Sequence, residues 1–432
     1  VIISIFGAGR SSYYAIEYLV TKASENNWQV KVYDRSPIKV PQIILDLTQV
    51  FQMDLADIET AEVISESNIV VSLLPANLHI LIAKMCLEYN THLATASFVS
   101  EEMLSLNELA KEKGLIFLNE CGLDPGIDHM STCEVIDQLQ AKGAKILGIE
   151  SYCGGLIAKE DCQNNPWQYK FAWSPRNVIL AGQGAPSMVI RKGETRIVQW
   201  HQLFKTVNQL DLPGLGKFDA YPNRNSILYR ELYHIPHVQT LIRGTLRRNG
   251  YCEAWQQLIE WGFTDNIHQL SGINNIREFA RTMTGFDFRL EHWKEGLSND
   301  CIEKIEFLAL EREEPFTFSD GTPADFLLAI LLVKWKMEET DKDVSILYHG
   351  ISYELNGEIH KQVSTLQYFG KNSMDTAMAK LVGLPLAMGV ELIANNLIAT
   401  KGVQIPNTQE WYKPILTNLK KLGVEIVHTH SS

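Results

Sequence analysis

The 432-residue sequence has no C-x-x-C pair, no Cys/His cluster at metal-ligand spacing, no internal repeat, no low-complexity linker and no excess of positive charge. Each absence removes a class of protein. Seven cysteines (Cys86, Cys121, Cys133, Cys153, Cys162, Cys252 and Cys301) stand singly, an odd and unclustered set that suits reduced thiols in a cytosol-like compartment better than a disulfide framework or a zinc site. Lys and Arg number 39 against 51 Asp and Glu, a net charge of −12, which argues against a phosphate backbone or an anionic membrane as the main partner. Any anionic small molecule must then be met by a local cationic pocket. No apolar run reaches the roughly 18 residues of a membrane span, and no signal-peptide layout opens the chain. The expectation is therefore a cytoplasmic protein without a nucleic-acid or membrane partner.

The length allows two or three domains, and the 45% hydrophobic and 21% charged residues are those of an ordinary soluble protein. From residue 1 to about 120, strand-like and helix-like segments alternate. "QVKVYD" (29–34), "NIVVSLLP" (68–75), "THLATAS" (91–97) and "GLIFLNE" (114–120) read as strands. "LHILIAKMCLEY" (78–89) and "SEEMLSLNELAKEKG" (100–114) have helical spacing, the second started by Ser100 and stopped by Gly114. This order predicts a parallel sheet covered by helices. Residues 144–260 carry short strands among glycine and proline turns, and 253–340 read as helical. "DVSILYHGISYEL" and "EIHKQVSTLQYFG", joined by Asn356-Gly357, predict a hairpin. An apolar helix containing Gly383 and Pro385 follows.

"ISIFGAGRSSYYAIEYL" (3–19) has the order strand, tight glycine turn, helix. Gly7 permits the turn, Gly9 lets the backbone approach a pyrophosphate, and the N–H groups at the helix start offer a positive end. Ser12 takes the place of the third glycine of G-x-G-x-x-G. Asp34 ends the second strand about 20 residues further on, where a carboxylate accepts bonds from ribose hydroxyls. Its charge would repel a 2′-phosphate, so NAD is the expected cofactor; Arg35, able to reach such a phosphate, keeps NADP as the alternative. An ordinary strand-to-helix turn is the competing reading of the glycines, and Asp34 weighs against it.

"NECGLDPGIDHMSTCEVIDQLQAKG" (119–143) predicts a helix capped by Asp124 with Pro125 as its first residue and Gly143 at its end. On pattern alone this is a well-capped connecting helix. Asp128 and His129, adjacent on a helix, point in different directions and have no further ligands at useful spacing, so His129 reads as structural.

"GLDPGIDHM", "SYCGG" (151–155), "YKFAWSP" (169–175), "YPNR" (221–224), "RGTLR" (243–247) and "TAMAKLVGLPLAM" occur in one order, and with them the chain resembles the saccharopine dehydrogenase family of the glutamate-forming type. The resemblance implies an α/β fold: an N-terminal Rossmann dinucleotide-binding domain (1–122), a mixed α/β substrate and dimerisation domain (123–255 and 341–390), a helical insertion (256–340), and a C-terminal segment (391–432) packing back on the Rossmann side. It also implies a homodimer and oxidative cleavage of saccharopine to glutamate and 2-aminoadipate 6-semialdehyde, or the reverse. Ser97, Phe98, Asp124, Cys153, Lys170, Phe171, Arg224, Thr245, Leu246 and Arg247 are then the candidate substrate residues. Gly7, Ala8, Gly9, Arg10, Ser11, Ser12, Asp34 and Arg35 make up the first part of the cofactor set. Asp54, Leu55, Leu74, Pro75, Ala96, Ser97, Leu123, Asp124, Pro125 and Ser174 complete it. Phe98 stands where relatives usually have tyrosine, which removes a hydroxyl, and "GGLIAKE" replaces a more proline-rich stretch.

Saccharopine carries three carboxylates, so an acidic protein needs fixed cations to hold it. Arg224, Arg243, Arg247 and Lys170 are the candidates, since the planar guanidinium suits a carboxylate bidentately. The expected binding place is a crevice between two lobes. Loss of hydride from the carbon beside the secondary amine requires that nitrogen to be deprotonated, which calls for an acid/base group. Asp124 and Cys153 are the candidates, and Asp124 would need a pKa well above its reference of about 3.9. Two other readings stay open: a related dehydrogenase of another carboxylated amine, of carboxynorspermidine or opine type, and a nucleotide-binding regulator without catalysis.

Overall fold

A computed structural model describes residues 1–9, 12–36, 48–55, 57 and 59–431. The chain forms two compact units, residues 1–144 with 377–427 and residues 145–376 with 428–432.

Among the described residues the first unit is built on seven strands: β1 (Ile2–Phe6), β2 (Gln29–Asp34), β3 (Gln49–Gln52), β4 (Ile69–Ser72), β5 (His92–Ala94), β6 (Ile116–Leu118) and β15 (Gly402–Gln404). They hydrogen-bond in the order β15-β6-β5-β4-β1-β2-β3, and every pairing is parallel. Strands buried along their length are apolar nearly throughout, as Ile-Val-Val in β4 and Ile-Phe-Leu in β6. The four strands expected from sequence are all present. Strands β3 and β15 have no counterpart in the sequence reading, because Gln-Val-Phe-Gln and Gly-Val-Gln are largely unburied edge strands without the apolar run that marks β4 and β6. The helix expected at 100–114 is split into Glu101–Ser105 and Asn107–Glu112. Ser100 does cap it, accepting from the Met103 N–H at 3.0 Å, but the Asn107 side chain turns to accept from the Val403 N–H at 2.9 Å on β15.

The helices Ile127–Ala141 and Ala377–Ala394 fall in the first unit, whereas the sequence boundaries group them with the substrate domain. The reason is tertiary. Tyr18 of the helix Tyr13–Asn26 donates to Glu391 at 2.5 Å, the Cys121 thiol meets the Pro385 carbonyl at 3.3 Å, and a Cβ on Gly389 would lie 2.6 Å from Leu118. Ala377–Ala394 is long and apolar enough, by length and composition, to cross a membrane; it does not stand out as an unbroken apolar run because Lys380 and Glu391 interrupt it. Its apolar character has a use inside the protein, since 72% of that window is buried.

The second unit holds β7 (Lys145–Ile157), β8 (Ser187–Arg191), β9 (Glu194–Val198), β10 (Asn208–Leu212), β11 (Gly216–Pro222), β12 (Thr240–Arg248), β13 (Asp343–Leu355), β14 (Glu358–Phe369) and β16 (Val427–Ser431). The main path runs β10-β11-β12-β7-β13-β14-β16, with β8 on β12 and β9 on β8. The β12–β7 pair is parallel, and β7–β13 and β13–β14 are antiparallel. The hairpin read from Asn356-Gly357 closes with Leu355 opposite Glu358. Helices Tyr251–Glu260, Ile276–Thr284, Asn299–Phe307 and Pro323–Lys334 carry the expected helical stretch. They share one apolar core with the sheet, where Trp167, Trp255 and Trp335 are all 1% exposed or less.

Candidate active site

The glycine turn sits at the carboxyl end of β1. Gly7 has φ +99°, and a Cβ there would lie 2.9 Å from the Leu73 carbonyl, so only glycine fits between β1 and the end of β4. Gly9 is different. Among the described residues a Cβ there would meet nothing within 4 Å, so their packing does not demand glycine at this position, and the space it keeps open is what a phosphate needs to reach the backbone. The Ser12 hydroxyl donates to the Gly9 carbonyl at 2.7 Å, which closes the turn from the helix side. Arg10 and Ser11 lie outside the described residues.

Asp34 has backbone partners that its expected role does not mention. Its Oδ2 accepts from the Ala8 N–H at 2.7 Å and its Oδ1 from the Ser36 N–H at 2.8 Å. The carboxylate thus ties β2 to the glycine turn and has part of its charge met by backbone dipoles, instead of being held wholly for a ribose. Arg35 and Ser36 beside it are exposed. Leu55 and Leu74 pack against the core of this unit, while Asp54 follows β3 and its N–H donates to Asp57 at 2.8 Å.

Ala96 and Ser97 follow β5, and Ala96 lies so near Gly122 that a Cβ on that glycine would be 3.1 Å away. The Ser97 carbonyl accepts from the Glu120 N–H at 2.9 Å, and the Glu120 carboxylate accepts from the Val99 N–H at 3.0 Å. Glu120 also meets His129 at 2.7 Å, and Asp128 accepts from the Gly126 N–H at 2.6 Å. The two acids and the imidazole, structural as the sequence suggests for His129, therefore brace the two loops that carry Ser97, Phe98 and Asp124. A Glu separated from its His by nine positions gives no periodic signal that could show this.

The turn containing Asp124 does not start the helix as expected. Asp124-Pro125 is cis, the helix begins at Ile127, and the residue before it, Gly126, has φ +146°. Gly122 N–H donates to the Pro125 carbonyl at 2.9 Å and Ile127 N–H to the Gly122 carbonyl at 2.8 Å, so the chain makes a closed loop. A Cβ on Gly126 would come within 2.0 Å of Gly122, which explains the second glycine of the motif. From Leu115 to Cys133 every residue is buried except Asp124, including its neighbours Leu123 and Pro125. The loop hides all its members and presents one carboxylate.

At the mouth of the same sheet, His79 has Nδ1 2.8 Å from the Ser72 hydroxyl and Nε2 2.7 Å from the Ser97 hydroxyl. Burial pushes this imidazole from 6.5 down to about 4. Between those values the unfolded chain takes up a proton that the folded chain refuses, so His79 subtracts stability as pH falls from 6.5 to 4, by about 3 kcal/mol at the low end. The expected result is a Tm that drops across that window in thermal melts, and drops less in His79→Gln; an equal drop in both would contradict it.

In the second unit the motifs interlock. Cys153 on β7 is opposite Thr245 on β12 and Leu347 on β13. A Cβ on Gly154 would lie 2.9 Å from Leu246, and one on Gly244 would lie 2.2 Å from the Tyr221 carbonyl and 2.7 Å from the Tyr152 ring. Each glycine is thus required by a residue of another motif. Phe171 is buried with its ring centroid 5.3 Å from that of Trp335. Ser174 is exposed ahead of the short helix Pro175–Ile179.

The four candidate cations differ. The Lys170 ammonium lies 2.6 Å from Asp341, so its charge is already met inside the unit. Arg224 is exposed and has φ +55°, and Arg243 is buried with its guanidinium 4.2 Å from the centre of the Tyr229 ring. Arg247 is 3% exposed and has no carboxylate partner among the described residues. It donates from Nη1 to the Leu246 carbonyl at 3.1 Å, its Nε has no partner, and the Tyr169 and Tyr251 rings lie 5.1 and 5.4 Å away. Burial pushes the Tyr221 phenol up to about 12, and raises the Tyr169 and Tyr251 phenols and the Cys252 thiol as well, so these neighbours stay neutral. Asp219, opposite Arg247 in the ladder, accepts instead from Cys252 N–H at 2.9 Å and Gln209 at 2.7 Å. A buried guanidinium without a counter-charge is costly, and a ligand carboxylate relieves that cost.

Two family models match nearly end to end: "Saccharopine dehydrogenase NADP binding domain" over residues 3–118 and "Saccharopine dehydrogenase C-terminal domain" over residues 122–424. The chain belongs to the saccharopine dehydrogenase family. The saccharopine dehydrogenase (NADP(+), L-glutamate-forming) of Schizosaccharomyces pombe is 32% identical, with 98% of each chain covered. The alpha-aminoadipic semialdehyde synthase of Arabidopsis thaliana is 33% identical over 87% of this chain and 38% of that longer protein. The apo saccharopine dehydrogenase (L-Glu forming) from Saccharomyces cerevisiae superposes with a TM-score of 0.86 at 28% identity, covering 100% of both chains. The saccharopine dehydrogenase resemblance and the α/β class expected from sequence both hold. The first family model and the S. pombe enzyme both name NADP, which supports a nicotinamide nucleotide as cofactor and runs against the NAD preference read from the charge of Asp34.

Proposed function

We propose that the chain oxidises saccharopine with a nicotinamide nucleotide and water to L-glutamate and 2-aminoadipate 6-semialdehyde, or runs the reverse, and that NADP is the nucleotide it prefers. The observation that carries the substrate reading is Arg247, a buried guanidinium ringed by neutral phenols and lacking an acidic partner among the described residues. It binds one substrate carboxylate bidentately, with Arg224 and Arg243 as the further cations for a triply acidic molecule.

The first unit fits a dinucleotide. The open space at Gly9, the turn held by Gly7 and the helix start after Ser12 would hold the pyrophosphate. The NADP preference is supported by Asp34, whose oxygens face the Ala8 and Ser36 N–H groups, and by the exposed Arg35 and Ser36, a guanidinium and a hydroxyl suited to a 2′-phosphate. When bound, the oxidised nicotinamide ring would accept the hydride from the carbon beside the secondary amine. The chain's residues supply the rest. Asp124 takes the proton that the amine must lose and manages the proton of the attacking water. Cys153 and Thr245, paired across β7 and β12, are the further polar groups for the substrate.

The test is the rise of reduced-nicotinamide absorbance with saccharopine plus NADP+, repeated with NAD+. Turnover is expected with both and faster with NADP+. Arg35→Ala is expected to lower kcat/KM for NADP+ by about 10-fold to 100-fold, the scale of one charge-assisted phosphate contact, and to leave NAD+ nearly unchanged. No turnover with either nucleotide would defeat the proposal, and an Arg35→Ala enzyme that kept its nucleotide preference would defeat the NADP assignment.

A further inference from the structure

Strands β4 and β5 end side by side, and each leads into a loop of the nucleotide site: Ser72 precedes Leu74 and Pro75, and Ala94 precedes Ala96 and Ser97. Between these two ends stands one imidazole. His79, the first residue of the helix His79–Tyr89, is 5% exposed. Its Nδ1 is 2.8 Å from the Ser72 hydroxyl, and its Nε2 is 2.7 Å from the Ser97 hydroxyl and 3.3 Å from that of Thr95. Ser72 and Thr95 are buried, so their hydroxyls serve the ring alone or the adjacent backbone. Ser97 is only half-buried. The Ser97 backbone is held separately, its carbonyl by the Glu120 N–H at 2.9 Å and its N–H by the Thr95 hydroxyl at 3.3 Å. What remains to be fixed is the Ser97 hydroxyl, and the imidazole is what meets it.

We propose that His79 is a positioning residue of the nucleotide site, cross-linking the ends of β4 and β5 and setting the direction in which the Ser97 hydroxyl offers its hydrogen bond to the bound nucleotide. This rests on the function proposed above. The ring stays uncharged because burial disfavours its protonated form. An uncharged imidazole has one N–H, so one nitrogen donates while the other accepts. With the hydrogen on Nε2 the ring donates to Ser97, whose own O–H is released for a ligand acceptor. With the hydrogen on Nδ1 the ring donates to Ser72 and accepts from Ser97, which then offers a lone pair to a ligand donor. One buried ring thus lets one serine meet either an acceptor or a donor, and a hydrophobic residue filling the same space would lose both.

Gln and Asn separate this role from simple space filling, because the amide of His79→Gln reaches the place of Nε2 and that of His79→Asn the place of Nδ1. The measurements are NADPH affinity by fluorescence titration, and kcat and KM with saccharopine. His79→Gln is expected to stay within about 3-fold of the parent in NADPH affinity, whereas His79→Asn and His79→Ala lose about 10-fold, the scale of one hydrogen bond. Equal affinities in the Gln and Asn variants, or an Ala variant that binds NADPH like the parent, would overturn the proposal. If His79→Ala does not fold, the Gln and Asn pair still decides. A parent chain that binds NADPH but does not oxidise saccharopine sinks the functional reading while the titrations still judge His79, and one that binds no NADPH overturns both.

Discussion

Arg247→Met is expected to destroy saccharopine turnover at ordinary substrate concentrations while leaving the protein as stable as the parent, or more stable. The two effects have opposite signs because they come from the same charge. In the proposed complex the guanidinium meets a substrate carboxylate in a buried setting, and removing one partner of such a pair costs about 2–5 kcal/mol, or roughly 30-fold to several thousand-fold in kcat/KM. Without substrate, the same guanidinium is enclosed by Tyr169, Tyr221 and Tyr251, all held neutral by burial, and no carboxylate answers it among the described residues. Methionine fills a similar volume without the desolvated charge, so the free protein gains or loses little. Arg247→Lys should rescue poorly, since an ammonium lacks the planar fork. Steady-state kinetics and thermal melts on the same preparations check this. An unchanged saccharopine KM in the Met variant would remove Arg247 from the substrate site, and a marked fall in Tm would mean that its charge is needed for the fold.

The second large effect is expected from Asp124→Asn: kcat lower by about 100-fold to 10,000-fold, with saccharopine KM and NADPH affinity changed only a few-fold. Asparagine keeps the shape of the side chain and its place in the loop, but cannot take or return a proton. The structural support is how the loop is made. Gly122, Pro125, Gly126 and Ile127 close it with backbone hydrogen bonds, and the Glu120–His129 contact braces it from behind, yet only Asp124 in the whole stretch from Leu115 to Cys133 reaches partial exposure. Parent-like turnover in the variant would take Asp124 out of the chemistry, and the acid/base would have to be sought elsewhere.

Much of the first unit can be read directly. Alternating segments with capped helices give β1, β2 and β4–β6 because each carries its own local signal: a buried apolar run, a turn glycine, a serine cap. The motifs around Gly7, Asp124, Cys153 and Arg247 are legible as strings. What they do to one another is not. That Gly244 exists for Tyr152 and Tyr221, or Gly154 for Leu246, depends on strand register set by the whole sheet. In sequence Lys170 looks as available as Arg247 because its partner Asp341 is far away along the chain. Asp124 reads as a cap since Asp-Pro before an amphipathic run is the usual start of a helix, and a tight turn ahead of Gly126 leaves the same letters. Asp34 reads as a repelling charge, whereas its hydrogen bonds to Ala8 and Ser36 are what decide how much of that charge a ligand meets.

The outer edge of the parallel sheet has a consequence for how the chain is made. β6 takes its neighbour β15 from residues 402–404, and the helix Gln409–Lys421 reaches Asp137 through Gln409 and Tyr412, at 2.9 and 2.5 Å. A ribosome delivers β1 to β6 long before it delivers these pieces, so the nascent nucleotide-binding half must wait with one strand uncovered while more than two hundred intervening residues emerge and fold. Truncation after residue 144 should therefore yield an aggregation-prone fragment in place of a free-standing nucleotide binder.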